Sequence, residues 1–264
     1  MDRFLKYLCC LFLLGFSLEA TSQAIRWPKP EQPSKQEIFT KTRQVNLKLS
    51  PVGFQLGYSF GTIPNFYTND YFQFEIGQIR HPKELSSGIQ ALKSSISRGF
   101  YKNYSYGKQN SFYTLRASKG KRVYLSEKGP VKSVQVGYTY RYGISAGLLK
   151  PYYIQVVEET DGFFGRDFEH IKYTEENREK FLNDEDIFGK SPFRYGLGEM
   201  QFTPGIHAQG GLVFDWGQDP RTILSTEVGL MLDFYFSSIP LMVDQSDKPF
   251  FLNFYVALQF GRRQ

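Results

Sequence analysis

The 264 residues have a mean hydropathy of −0.39 and contain no apolar run near the ~20 residues of a membrane-spanning helix, which excludes a helical membrane protein. The formal net charge is +6, which suits either solubility or attraction to anionic lipid phosphates, and both explanations stay open. Nucleic-acid binding is not expected, because no module combines basic and aromatic residues. Aromatic residues make up 17% of the chain and glycines number 24, which is typical of membrane β-barrels. The alternative fold class is an exported β-sandwich.

Residues 1–22 have the three parts of a secretory signal peptide. Two basic residues precede an apolar run at 7–18, and small residues follow at 20–22, so we predict export with cleavage before Gln23. Both cysteines of the chain lie inside this segment. The mature protein is therefore expected to have no disulfide, no cysteine nucleophile and no thiolate metal site.

The mature chain begins with a Pro-rich segment, 23–42, that lacks periodicity and predicts an extended periplasmic linker. From residue 43 onward, apolar and polar residues alternate, which predicts β-strands because successive strand side chains point to opposite faces. These strands are longer than the five or six residues that are usual in globular proteins, which favours a membrane barrel. The predicted strands are 43–49, 52–60, 71–79, 110–124, 132–150, 199–216, 222–236 and 250–260.

Short turns alternate with long connections along the chain, as in outer-membrane barrels with long extracellular loops. We therefore predict one antiparallel transmembrane β-barrel of eight strands over residues 43–264. The segment 43–60 could also be one bulged strand around a proline, which would place the eighth strand in 89–104 or 152–158. The long connections are 80–109, 151–198 and 237–249.

A barrel of eight strands leaves an interior that side chains fill. Charges in so narrow a space are expected to pair, since an isolated buried charge is costly, so the prediction is a plugged barrel. A small passive channel is an alternative. The alternation predicts that the lumen holds a charge network of Glu75, Arg116, Arg141, Asp215, Glu227 and Asp233.

The sequence offers little support for catalysis, and we expect no enzyme, no cofactor and no metal site. His207 faces the predicted lumen and could pair with Asp215 or Glu227 and a serine such as Ser225, which would suit a lipid- or lipopolysaccharide-modifying barrel enzyme. A lumen histidine that only forms hydrogen bonds is preferred, because no catalytic motif surrounds it. His170 lies among acidic residues, and a solvated acidic loop explains it better than a metal site.

The connection 151–198 is the candidate functional segment, because loops beyond ~12–15 residues are usually functional or disordered. Phe163, Phe164 and Phe168 lie with Arg166 among charged residues in its first half. Aromatic residues rimmed by charge suggest a partner-contact surface. A loop that folds over the barrel mouth with its aromatic residues tucked in is the alternative.

The C-terminal stretch "NFYVALQFGRRQ" resembles the sorting signal of outer-membrane barrels, in which an alternating strand ends on an aromatic residue. The corresponding residues are Phe254, Val256, Leu258 and the closing Phe260. Four residues follow Phe260, 261–264, whereas the common pattern ends on the aromatic residue.

Three stretches, "GKQNSFYTLR", "FTPGIHAQGGLVFDW" and "EVGLMLDFYF", make the mature chain similar to small outer-membrane barrels of Bacteroidota. Relatives in that group include accessory barrels of type IX secretion and of outer-membrane protein assembly. The resemblance implies an outer-membrane location and a structural or accessory role. It also implies contact with outer-membrane lipid and lipopolysaccharide and with other outer-membrane proteins in a hetero-complex.

Overall fold

A computed structural model of the protein describes residues 39–65, 67–84, 104–125, 133–158, 167–183 and 186–264. The predicted signal peptide and most of the predicted linker lie outside the described residues. A short helix, α1, spans Arg178–Leu182. The strands in the described part of the chain are β1 (Lys41–Ser50), β2 (Gly53–Asn65), β3 (Thr68–Ile79), β4 (Asn110–Tyr124), β5 (Gln135–Pro151), β6 (Tyr153–Glu158), β7 (Asp167–Lys172), β8 (Ile187–Lys190), β9 (Gln201–Asp215), β10 (Thr222–Ile239) and β11 (Lys248–Arg263).

Eight of these strands close into one barrel in the order β1-β2-β3-β4-β5-β9-β10-β11, and β1 pairs with β11. All the pairings are antiparallel. The predicted eight-stranded antiparallel barrel is therefore confirmed. β1 begins slightly before the predicted Arg43, because Lys41 and Thr42 continue the alternation and Thr42 is buried in the lumen.

The structure of the first hairpin shows whether residues 43–60 form two strands or one bulged strand. β1 and β2 are separate strands, and their pairing extends to Ser50 opposite Gly53. Pro51 has no backbone N–H and cannot continue the ladder, so it lies in the turn. Gly53 has a φ of +153°, and a Cβ there would lie 2.0 Å from the carbonyl oxygen of Gln78, so glycine is required. The alternative of one bulged strand is wrong.

The outer surface of the barrel is an apolar belt. On β5, Tyr140 and Ile144 point outward and are 45% and 68% exposed, whereas Thr139 and Arg141 point inward and are buried. Soluble monomers rarely expose continuous apolar surface of this extent, so the belt faces lipid and the barrel is transmembrane. Exposed aromatic residues lie near both ends of the belt: Phe54, Phe202, Phe236 and Phe250 at the loop end, and Tyr138, Trp216 and Phe260 at the other.

A second, three-stranded sheet lies in the connection 151–198, with the order β7-β6-β8. The segment 152–158, considered as a place for the eighth barrel strand, is β6 of this sheet. The connection therefore has regular structure and packs on a small core that it shares with Tyr104 of the connection 80–109, which the sequence did not predict. Its buried residues are Tyr104, Ile154, Val156, Ile171, Phe181 and Ile187. None of the helices in the described part of the chain has the length and apolar content that crossing a bilayer requires.

Candidate functional site

The barrel lumen is the first candidate site, because polar and charged side chains fill its centre. Each barrel strand alternates buried inward residues with exposed outward ones, so a polar inward position becomes a buried polar group. Burying a charge is costly unless it is paired and hydrogen-bonded. The partners of each lumen charge therefore decide what the lumen can do.

Arg116 on β4 is the centre of the first ion cluster. Its Nε and Nη2 donate to Oδ1 and Oδ2 of Asp233 on β10 at 2.7 and 2.9 Å, which is the bidentate geometry that guanidinium favours. Its Nη1 lies 3.8 Å from Oε2 of Glu75 on β3. Glu75 also accepts a hydrogen bond from Lys48 on β1. This cluster therefore joins strands on opposite sides of the barrel.

Glu227 on β10 is the centre of the second ion cluster. Its Oε1 lies 2.9 Å from Nη1 of Arg141 on β5 and accepts a hydrogen bond from the hydroxyl of Tyr255. Its Oε2 accepts a hydrogen bond from Nε2 of Gln259 at 2.5 Å. Arg122 on β4 donates through Nη2 to Oε1 of Gln259 at 2.6 Å. The same Nη2 lies 4.0 Å from Oε2 of Glu227, so the carboxylate has partners from three other strands.

Gln209 on β9 connects the two clusters. Its Oε1 accepts hydrogen bonds from Nζ of Lys48 at 2.6 Å and from Nε of Arg141 at 2.8 Å. Its Nε2 donates to Oε2 of Glu75 at 3.1 Å. The clusters are therefore one continuous network across the lumen.

The structure brings five of the six predicted lumen charges into this network. The sixth, Asp215, lies at the end of β9 away from the long loops, where its Oδ2 accepts a hydrogen bond from Nη2 of Arg263 at 2.5 Å. Sequence reasoning missed two network cations, Lys48 and Arg122. The signal was present for Lys48, which alternates with the outward Leu47 and Leu49.

An apolar layer closes the lumen at its loop end, above the ion network. Phe112 contacts Tyr235 edge-on, with ring centroids 5.0 Å apart, and stacks against Phe251 at 6.0 Å. The inward side chains at the strand ends change here from polar to apolar, so water and ions meet a hydrophobic barrier above the charges. The layer consists of Val52, Ile79, Phe112, Leu149, Tyr235, Ile239, Leu241, Met242 and the adjoining Phe251.

We expect no steady ionic conductance when the purified protein is reconstituted in planar bilayers, because the charges are paired and the loop end is sealed. Insertion is verified by the heat-modifiable migration of the folded barrel recovered from the same vesicles. A stable open channel of nanosiemens size would contradict both the network and the apolar layer.

His207 lies in the lumen as the alternation predicts, and it is buried. Neither ring nitrogen has a hydrogen-bond partner among the described residues. Its proposed catalytic partners are engaged elsewhere: Asp215 pairs with Arg263, Glu227 with Arg141, and Ser225 donates to Gln259. The expected hydrogen bonds of His207 do not come from the described residues, and these residues do not assemble a nucleophile with an adjacent base around it.

The second candidate site is the outward face of the three-stranded sheet. Phe168 on β7 and Phe188 on β8 are exposed, and their ring centroids lie 4.7 Å apart. The opposite face carries the core residues, so this pair points away from the core. Phe163, Phe164 and Arg166, which were predicted to share this surface, lie outside the described residues. Phe188 was not singled out from the sequence, because it lies twenty residues away from Phe168 along the chain.

His170 has a structural role on the same face of this sheet. Its Nδ1 is 2.8 Å from the hydroxyl of Ser191, and its ring stacks on Tyr195 with a centroid distance of 4.0 Å. Nearby, Lys180 pairs with Glu169 at 2.5 Å. No cluster of three or more potential metal ligands occurs among the described residues.

The residues of the predicted sorting signal lie on β11, which closes the barrel against β1. Their side chains point to the lipid side and are exposed to a similar extent along the strand. They are Phe254, Val256, Leu258 and Phe260. Leu258 and Phe260 lie opposite Leu47 and Val45, so the apolar belt continues without interruption across the closing seam.

No protein-family model matches the chain, and no curated protein does. Solved structures that resemble it include Neisserial surface protein A, at 9% identity over 86% of this chain and 97% of that one, with a TM-score of 0.39. They also include the attachment invasion locus protein Ail of Yersinia pestis, at 10% identity over 86% and 100%, with a TM-score of 0.36. A third is the N-terminal β-barrel domain of Pseudomonas aeruginosa OprF, at 6% identity over 84% and 96%, with a TM-score of 0.32. By its own strand order and apolar exterior, the chain has the fold of a closed eight-stranded transmembrane β-barrel.

Proposed function

We propose that the protein is a non-enzymatic outer-membrane barrel that acts as an accessory subunit of a machine for protein secretion or outer-membrane protein assembly. In this proposal the barrel is a closed anchor and the sheet in the connection 151–198 is the partner surface. The observation that carries the proposal is the exposed aromatic pair Phe168 and Phe188 on the face of the sheet that is opposite its buried core.

The lumen supports an anchoring role. Its charges pair with one another and apolar side chains cover its loop end, which suits a closed anchor better than a channel. A side-chain network of this kind holds the strands in one register, since shifting one strand would separate several pairs at once.

The sheet supports a recognition role. It is tied to its surroundings through ion pairs, such as Lys172 with Glu199 at 2.7 Å, and through the core contacts of Phe181. A sheet held in this way presents its outward rings in a defined arrangement, which limits the entropy lost when a partner binds. Exposed aromatic residues surrounded by charged ones are typical of protein contact surfaces.

The test compares partner retention after chemical cross-linking in native membranes, quantified by mass spectrometry. Replacing Phe168 and Phe188 together with serine is expected to reduce the amount of co-purifying outer-membrane protein by about 30-fold, since an aromatic hot spot contributes 2 kcal/mol or more. The matched control is Leu197→Ser, which removes an exposed apolar side chain from the same connection but outside the pair.

His207→Gln separates the proposal from an enzyme in the lumen, and it is expected to preserve partner retention and growth. A folded aromatic double variant that retains its partners, together with a His207→Gln variant that loses function, would replace the accessory role with the enzymatic one.

A further inference from the structure

The outward face of the three-stranded sheet contains a recess beside the aromatic pair. Gln155 on β6 lies opposite His170 on β7 and opposite Gly189 on β8, so these three residues lie side by side across the sheet. Ile154 and Val156 belong to the core, so Gln155 and its two partners face the other way. The floor of the recess therefore consists of Gln155 and the backbone of Gly189.

Gly189 leaves free space above this floor. The residue is buried, yet no atom of the described residues lies within 4 Å of the position that a Cβ would take there. The pairing of β8 with β6 shifts between Ile187 and Gly189, and Phe188 is turned outward beside the glycine. A buried position with free space next to an exposed ring marks a narrow recess in the surface.

Aromatic rings form both walls of the recess. On one side lie Phe168 and Phe188, whose ring planes are tilted by 48°. On the other side, His170 extends across β6 and places its Nδ1 2.8 Å from the hydroxyl of Ser191, and Tyr195 stacks on its ring at an angle of 23°. We refer to the recess between these two walls as the ring cleft. Its walls are held in place by contacts within the sheet and its neighbouring segment.

The ring cleft also offers polar groups that can bind a ligand. The side-chain amide of Gln155 forms no hydrogen bond with the described residues, and His170 uses its Nδ1 but not its Nε2. An amide provides an acceptor oxygen and two donor N–H groups, and a neutral imidazole provides one donor and one acceptor. The cleft therefore combines ring contacts with places for a polar atom of the ligand.

The arrangement of the rings favours an inserted aromatic side chain over a sugar. A sugar ring stacks on a flat aromatic face, whereas Phe168 and Phe188 form a V, which suits edge-to-face contact with a third ring. An aliphatic side chain would leave the amide of Gln155 without a partner in a desolvated interface. Tyrosine and tryptophan carry both a ring and a hydrogen-bond donor, and both are enriched at binding hot spots.

We propose that the ring cleft binds one tyrosine or tryptophan side chain of a partner protein, whose O–H or N–H donates to the amide oxygen of Gln155. This inference rests on the proposed function, in which the sheet is the partner surface, and it adds the residue type that the partner supplies. A flat aromatic contact would use only the exposed rings of Phe168 and Phe188. The free space at Gly189 instead gives room for a side chain that enters from outside.

The test fills the ring cleft and leaves its walls unchanged. In Gly189→Leu the new side chain occupies the free space, and the backbone accepts it because the φ of Gly189 is not positive. The matched control is Gly198→Leu, since the Cβ position of Gly198 is equally free of contacts but lies outside the cleft. Both variants add the same apolar side chain to the same connection, so only its position differs.

Binding is measured by saturation-transfer difference NMR on the full-length protein in lipid nanodiscs, with N-acetyl-tryptophanamide, N-acetyl-tyrosinamide and N-acetyl-leucinamide as probes. The wild type and Gly198→Leu are expected to bind the two aromatic probes in preference to the leucine probe. Gly189→Leu is expected to lose this preference, because its leucine side chain takes the place of the inserted ring.

A second variant, Gln155→Leu, keeps the rings of the cleft and removes the acceptor. The wild type is expected to prefer N-acetyl-tyrosinamide over N-acetyl-phenylalaninamide, which has no hydroxyl. Gln155→Leu is expected to bind these two probes equally, because the hydroxyl no longer finds its partner.

An aromatic preference that persists in Gly189→Leu would overturn the proposal, because the probes would then bind in the bilayer or on another surface. Equal binding of all probes by the wild type would also overturn it. If Gly189→Leu does not fold, Gln155→Leu decides: an unchanged preference for the tyrosine probe refutes the cleft. Failure of the accessory role is read separately, from partner retention in the Phe168 and Phe188 variant. Loss of partners there, with unchanged retention in Gly189→Leu, would keep the partner surface and refute the cleft.

Discussion

Replacing Arg116 with alanine is expected to lower the free energy of unfolding by about 3–5 kcal/mol, because it leaves the buried Asp233 without its cation. Glu75 loses a second, longer contact to the same guanidinium. The loss is measured by urea-induced unfolding of the barrel in lipid vesicles, followed by tryptophan fluorescence.

The control for Arg116→Ala removes the ion pair as a whole. In a double variant, Arg116→Met and Asp233→Leu, no unpaired carboxylate is left at position 233, and Glu75 keeps Lys48 and Gln209 as partners. Most of the lost stability is expected to return, since well-packed apolar residues often replace a buried ion pair at little cost. Wild-type stability in the single variant would show that the network does not hold the strands together.

Replacing Ile144 with arginine is expected to lower the free energy of unfolding by about 2–4 kcal/mol, the cost of a charged side chain on the lipid face near the bilayer midplane. Ile144 lies midway along β5 and is 68% exposed on the outer surface. The same urea titration in vesicles measures the loss.

Tyr138→Arg is the matched control, because Tyr138 lies on the same face of β5 near the end away from the long loops. The cost there is expected to fall to about 0–1 kcal/mol, since arginine can reach the interface. Cysteine at position 144 is expected to react with a lipid-soluble probe, whereas cysteine at 145 is not. Equal costs at 144 and 138, or the reverse labelling, would contradict the assignment of the outer surface.

The barrel could be predicted from the sequence because alternation is a local property. Each strand shows which residues share a face, and strand length with loop length then separates a membrane barrel from a sandwich. The strand boundaries could be predicted less accurately than the class of fold, because the ends of a strand depend on its pairing with the neighbouring strands. The hairpin at Ser50 and Gly53 shows this: a proline at a change of phase suits a bulge or a turn, and only the observed register distinguishes them.

The lumen could be predicted as a set of inward charges but not as a set of pairs. Arg116 and Asp233 lie 117 residues apart in sequence, and Arg141 and Glu227 meet across the barrel. The alternation shows on which face of its strand each residue lies. It does not show the position of the residue along the barrel axis or which residue it meets across the lumen, because both depend on the stagger of the closed barrel. Asp215 was therefore predicted to face the lumen, but its position at the end of β9, away from the network, could not be predicted.

The sequence by itself determined the class of fold, the lipid-facing and lumen-facing sides of each strand, and the unusual length of the connection 151–198. Those features follow from local periodicity and chain length. The tertiary structure alone decided which charges pair, that apolar side chains seal the loop end, and that Phe168 contacts Phe188. Each of these joins residues that are distant in the chain, so it depends on strand register and closure, which no local pattern encodes.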